Sequence, residues 1–141
     1  MNELLNICAC VSLRKAARAV TQQYDKQLQP IGLKVTQYSM LANIVRNKDI
    51  SISNLGEVMS LDQTTVTRNV NILKNSGYVT ITKNKHDSRT KRISITDEGF
   101  AKLKEARPIW LQIQEKIVNQ IGEEKYKDLL DALKKLQEPI E

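Results

Sequence analysis

Gln63, Thr64, Thr67, Arg68 and Asn71 are separated by alternating steps of one and three residues. On a helix this spacing turns all five to one side. Val66, Val70 and Leu73 lie between and after them and turn to the other side. The first side is a row of amides, hydroxyls and one guanidinium, which is the chemistry of recognition by hydrogen bonds. Arg pairs with the O6 and N7 edge of guanine, Gln or Asn with the N6 and N7 edge of adenine, and a Thr methyl can meet the methyl of thymine. Cations follow close behind: Lys83, Lys85, Arg89, Lys91 and Arg92, with His86 and Asp87 among them.

Catalysis has little to work with. The chain holds one His and five Gly, and no nucleophile, base and orienting group occur together. No Gly-rich loop is present to cradle a phosphate. We expect no enzyme and no cofactor. Two cysteines, Cys8 and Cys10, have no second pair to complete a zinc site, so no metal is expected. Arg14 follows Cys10 by one helical turn, placing a cation on the same face, a setting that activates a thiol. In a continuous helix Cys8 and Cys10 point to different faces, which disfavours a bond between them and leaves a bond to another subunit open. Both also fit as small apolar packing residues.

The elements that must hold these groups are legible from periodicity. Residues 3–28 read as one helix, with Leu13, Ala17, Val20, Tyr24 and Leu28 recurring at threes and fours. Pro30 and Gly32 end it. A second helix begins near Thr36, its expected N-cap, and a short third begins at Ser51. The helix bearing the polar row starts from Asp62, whose carboxylate can accept from first-turn N–H groups. It ends before Gly77, suited to a left-handed backbone. "YVTIT" and "RISIT" alternate with period two, predicting a hairpin with Val79, Ile81, Ile93 and Ile95 inward and a tip over residues 83–91. A long helix follows from Thr96, with Asp97 and Glu98 in its first turn, where the helix dipole favours anions. Its stripe is Phe100, Leu103, Ala106, Trp110, Ile113, Ile117 and Ile121; Pro108 should kink it. After Gly122 a last amphipathic helix carries Tyr126, Leu129, Leu130, Leu133 and Leu136.

The fold class is therefore mainly α with one small β-hairpin. A chain of 141 residues reads as one domain. Its net charge is +6, distributed as +3 over residues 1–59, +5 over 60–96 and −2 over 97–141. The positive excess sits in the stretch with the polar row, as expected for a polyanion partner; a solvated face without a partner is the plain alternative. No apolar run approaches the ~20 residues a membrane span needs, and the N-terminus lacks a basic leader region. A cytoplasmic location without membrane association is the default expectation.

Two short helices, the second polar on its outer face, followed by a basic hairpin, form a helix-turn-helix with a wing. "LGEVMSLDQTTVTRNVNILKNSGYV" and "DSRTKRISITDEG" resemble the helix-turn-helix and wing of the multiple-antibiotic-resistance regulator (MarR) family of winged-helix transcription factors. The resemblance covers nearly the whole chain. It implies that Thr64, Thr65, Thr67 and Arg68 face the major groove, Asp87 braces the wing and Arg89 enters the minor groove. Gln63, Asn71, Lys83, Lys85 and Lys91 complete the expected DNA-binding set. Thr65 also fits as a local helix cap, Asp87 as a turn former, and the lysines as phosphate-neutralising or solvated groups.

The resemblance further implies an obligate homodimer on double-stranded DNA carrying a pseudo-palindromic operator. Residues 1–30 and 97–141 would be the dimerisation helices and 33–96 the winged helix-turn-helix region. The regulator would be a repressor, less often an activator, relieved by a small ligand or by thiol oxidation. "ICACVSLRKAARAVTQQYD" partly resembles the thiol-based, organic-hydroperoxide branch of that family. There Cys10 would be the sensor, with Arg14 beside it and Tyr24 retained. Arg14 and Val35 stand where that branch has further tyrosines. A pocket for a small aromatic or phenolic effector would draw on Arg18, Tyr38, Met40 and Trp110. The alternative of a different class is a winged helix that docks protein or RNA. A polar face flanked by cations argues against protein docking, and 4% aromatics offers little stacking for RNA.

Overall fold

The computed structural model describes residues 2–83 and 90–141. Seven helices and one hairpin occur among them in the order α1 (Asn2–Leu5), α2 (Ala9–Leu28), a 3₁₀ turn (Gln29–Ile31), α3 (Val35–Arg46), α4 (Ile52–Met59), α5 (Gln63–Asn75), β1 (Val79–Lys83), β2 (Lys91–Ile95), α6 (Asp97–Ile121) and α7 (Glu123–Leu136). The architecture is the expected one: a mainly helical winged helix-turn-helix, with further helices at both ends of the chain. No described helix is long and apolar enough to cross a membrane.

The core lies inside the winged helix-turn-helix. Tyr38, Met40, Leu41 and Ile44 from α3, Leu55 from α4, Val66, Val70 and Leu73 from α5, and Val79 and Ile93 from the hairpin are buried together. Leu28 closes the core from α2 and Ala106 from α6. The strands pair antiparallel, Val79 opposite Ile95 and Ile81 opposite Ile93, so the inward set is the one period two predicts. Ile93 N–H donates to the Ile50 carbonyl at 2.9 Å, which ties β2 to the segment leading into α4. Thr96 starts α6 by accepting from Gly99 N–H at 3.0 Å and donates its own hydroxyl to the Gly77 carbonyl at 2.6 Å. One side chain thus joins the end of α5 to the start of α6.

Two expectations are corrected. The first helix is not continuous over 3–28, because α1 stops at Leu5 and α2 begins at Ala9. Cys8 holds extended backbone, φ −71° and ψ 117°, as the N-cap of α2. Leu4, Leu5 and Ile7 are all exposed, so no tertiary packing supports the helix through Asn6, and Asn is a poor helix former. Second, α3 is capped two residues earlier than Thr36. Lys34 is its N-cap, Asp25 accepts from Val35 N–H at 2.8 Å and Gln37 accepts from Lys34 N–H at 2.9 Å. A carboxylate on a neighbouring helix replaces the local hydroxyl. α6 runs as a single helix through Pro108, without a break. Ala106 and Ile113 are buried on either side, and that packing holds the helix where a backbone hydrogen bond is missing.

Candidate nucleic-acid interface

The start of α5 is set by Asp62, which accepts from Thr65 N–H at 2.7 Å. That backbone bond is the main cause, followed by the Thr65 hydroxyl, that holds the Asp62 carboxyl below the usual carboxylate range. The helix ends where Gly77 turns left-handed at φ 81°, with Tyr78 N–H returning to the Leu73 carbonyl at 2.9 Å. Between these ends, Val66, Val70 and Leu73 are almost wholly buried. Gln63, Thr64, Thr67, Arg68 and Asn71 are exposed and line one continuous shallow groove. Thr65 stands off this face. It is half-buried, and its carbonyl accepts from Asn69 Nδ2 at 2.9 Å. Its place is in the capping turn, because it follows Thr64 around the helix toward the packed side.

A second concavity joins this face to the wing. Ser51, Ile52 and Ser53 at the start of α4, Gln63 and Thr67 on α5, and Thr90 and Lys91 at the hairpin line a notch of about 220 Å³. Hydroxyls, an amide and an ammonium there suit a phosphate oxygen. Lys83 and Lys91 are both exposed and face each other as the last pair of the hairpin. Like charges directly opposite are unfavourable, and a polyanion would relieve that repulsion. Arg92 is committed elsewhere, donating to the Asp49 carbonyl at 3.2 Å. Lys85, Asp87 and Arg89, and His86 with them, lie outside the described residues.

Ser51, Ser53 and Thr90, which line the notch, and Ile72 and Asn75, which line the α5 groove, were not among the residues that the sequence pointed to. Ser51 was legible only as a helix cap. The proximity of the serines to Thr67 depends on how α4 crosses α5.

A separate cleft of about 360 Å³ lies between α3 and α6. Tyr38 and Trp110 stack within it, ring centroids 5.5 Å apart. Phe100, Arg46, Lys104 and Arg107 share its lining, and Lys104 Nζ lies 4.9 Å from the Phe100 ring centre. Of the four residues expected at an effector pocket, Tyr38 and Trp110 are here. Met40 is fully buried in the core, because two residues along a helix it faces away from Tyr38. Arg18 is exposed on α2 and does not line this cleft. Arg46 comes from α3 and Lys104 and Arg107 from α6, so spacing within one helix could not bring all three together.

Cys8 and Cys10 are exposed at the start of α2. Since Cys8 lies at the cap, outside the helix, the argument that two helical positions hold them apart does not apply. Tyr24 is far from them, about 21 Å along the axis from Cys10 at 1.5 Å per residue. It donates to Gln114 Oε1, and Gln114 Nε2 donates to the Tyr126 hydroxyl at 2.7 Å. Burial first, then Tyr126, raises the Tyr24 pKa. This relay joins α2, α6 and α7.

Comparison with known proteins agrees with this geometry. The sequence model of the MarR family matches residues 31–90. The chain is 27% identical over 134 residues to the HTH-type transcriptional regulator SarZ of Staphylococcus epidermidis, covering 94% of this chain and 88% of that protein. It superposes on the M. tuberculosis transcriptional regulator MosR in complex with DNA with a TM-score of 0.78 and 33% identity, covering 94% of this chain and all of that one. The transcriptional repressor CouR, bound to a 23-mer DNA duplex, has the same fold, with a TM-score of 0.86 at 19% identity over 98% of this chain and 97% of that one.

Proposed function

The chain belongs to the MarR family of DNA-binding transcriptional regulators, a non-enzymatic family, and from that premise we propose that it works as a homodimer, placing two copies of α5 in successive major grooves of a pseudo-palindromic operator. One observation carries the reading. The exposed side of α5 holds Gln63, Thr64, Thr67, Arg68 and Asn71 while its opposite side is locked into the core. The helix that carries these donors and acceptors is therefore fixed in place before DNA arrives, and a helix of this width fits the major groove. The notch beside Thr67 and Lys91 takes a backbone phosphate, which sets register without reading sequence. Lys83, Lys85 and Arg89 carry the wing along the duplex, with Arg89 in the minor groove and Asp87 bracing it. Residues 33–96 are the DNA-binding region, and residues 1–30 and 97–141 join the two copies.

Apolar exposure supports the dimer. Leu4, Leu5, Ile7, Val11, Leu13 and Val20 at one end of the chain, and Ile121, Leu129, Leu130 and Leu136 at the other, face solvent in a single copy. Side chains this large and this numerous are expected to be covered. The protein acts as a repressor in the cytoplasm, and its signal changes how the two copies are held. Two entry points are proposed for that signal. The cleft between α3 and α6, with stacked rings and three cations, suits a small aromatic or phenolic anion. Cys8 and Cys10 with Arg14 suit an oxidant.

The test is a gel shift with DNA from upstream of the protein's own operon, run with and without competitor RNA. Retardation that survives RNA but not excess specific duplex is expected. Repeating it after peroxide, alongside a thiol titration, decides between the two entry points: loss of binding together with loss of free thiol supports the cysteines. Unchanged binding after complete thiol loss removes them.

A further inference from the structure

We propose that Ile72 is a base-reading residue of this protein, taking the methyl group of a thymine at the edge of the α5 face. The inference rests on the reading of α5 as the helix that enters the major groove. Ile72 is 43% exposed, yet it lines the same groove as Gln63, Thr64, Thr67, Arg68, Asn71 and Asn75. Every other member of that groove is polar. The packing stripe of α5 is already complete without it, since Val66, Val70 and Leu73 supply the buried contacts.

Neither local structure nor the core accounts for an isoleucine there. An exposed position in the interior of a helix is better filled by Lys, Glu, Gln or Arg, because a β-branched side chain loses rotamer freedom against the preceding turn. What such a side chain does offer is a fixed pair of methyl groups. In the major groove the one apolar mark a base displays is the C5-methyl of thymine. Ile72 follows Arg68 by one turn, about 6 Å along the helix axis. Its thymine is therefore expected within a few base pairs of the base that Arg68 would read. Asn71 and Asn75, one before and one after Ile72 along the helix and both toward the centre of the polar face, are placed to meet the polar edges beside that methyl.

The experiment uses full-length protein and a duplex selected by it from a random library. Each thymine is replaced singly by uracil, which removes the methyl and nothing else. Affinity is measured for the wild type, Ile72→Ala and Ile72→Val. One thymine per half-site is expected at which uracil weakens wild-type binding about three- to fivefold, the worth of one buried methyl. Ile72→Ala, which changes both copies of the homodimer, should bind the thymine duplex about ten- to twenty-five-fold more weakly, the single-uracil loss taken once per half-site, and be indifferent to uracil, while Ile72→Val keeps part of the difference. Because Ile72 is exposed and Ala is a strong helix former, both variants should keep wild-type thermal stability, which is checked alongside. Uracil sensitivity that is the same in wild type and Ile72→Ala, or absent at every thymine, overturns the assignment while leaving DNA binding by α5 intact. A selection that enriches no sequence overturns the DNA reading itself, and this inference with it.

Discussion

In the proposed complex Arg68 reads a base and Lys91 neutralises a phosphate, and single substitutions should separate the two roles. Arg68→Ala would remove a bidentate base contact from each half-site and is expected to cost about 1–3 kcal/mol per copy on the selected duplex while relaxing preference at that base pair. Lys91→Ala should weaken binding evenly across sequences and lower the slope of log affinity against log salt by about one per copy. Fluorescence anisotropy on matched and mismatched duplexes checks both. Asp62 makes a pH prediction. Its carboxyl is held low by the bond from Thr65 N–H, so its support for α5 is fully present above the unfolded value of about 3.9 and is lost as pH falls through the lowered folded value. The melting temperature of Asp62→Ala should lie below that of wild type at neutral pH, and the gap should close in acid. A gap independent of pH would contradict the capping role. At this scale the α5 face was legible, because one helix with one cap positions its five polar residues. The cleft was not. Arg46 on α3 and Lys104 and Arg107 on α6 meet only through tertiary packing, and Met40 looked available until α3 turned it inward.

The elements were readable where their stop signals are local. Asp62 and Gly77 bracket α5, Ser51 opens α4, Thr96 opens α6, and alternation alone sets the register of Val79 against Ile95. They were misread where another part of the chain decides. The start of α3 depends on Asp25, ten residues upstream, and the break before Ala9 follows from an apolar segment with nothing to pack against. Gly99 shows the tightest junction between elements. A Cβ built there would lie 2.1 Å from the Tyr78 carbonyl oxygen and 2.9 Å from Ile95 Cγ1, where α6 leaves the hairpin. Gly99→Ala should therefore destabilise the fold by about 3 kcal/mol, since backbone must move to admit the methyl. Urea unfolding measures this, and a loss under about 1 kcal/mol would mean that the junction yields more easily than its geometry implies.

Across the whole molecule, the two ends of the chain expose apolar side chains that the middle does not need. Leu13 and Val20 stay 39% and 36% exposed, although their spacing marked a buried stripe; the stripe was legible in the sequence and its partner was not. If that partner is a second copy, Leu129→Glu together with Leu130→Glu should shift the sedimentation coefficient toward a monomer. The same change should reduce operator affinity by 10²-fold or more, since the second half-site would no longer be reached at high effective concentration. A double variant that remains dimeric would move the interface elsewhere on the chain.

The central claim is that two copies hold one duplex through positive charge and fixed polar side chains on paired α5 helices. The most direct measurement is the affinity and stoichiometry of the purified protein for a selected duplex, titrated from 50 to 200 mM salt. Two chains per duplex are expected, with a fall in affinity of roughly 10³–10⁵ over that range if about six to ten phosphates are neutralised. A monomer that binds no double-stranded DNA at 50 mM salt, or binding that does not respond to salt, would contradict the account.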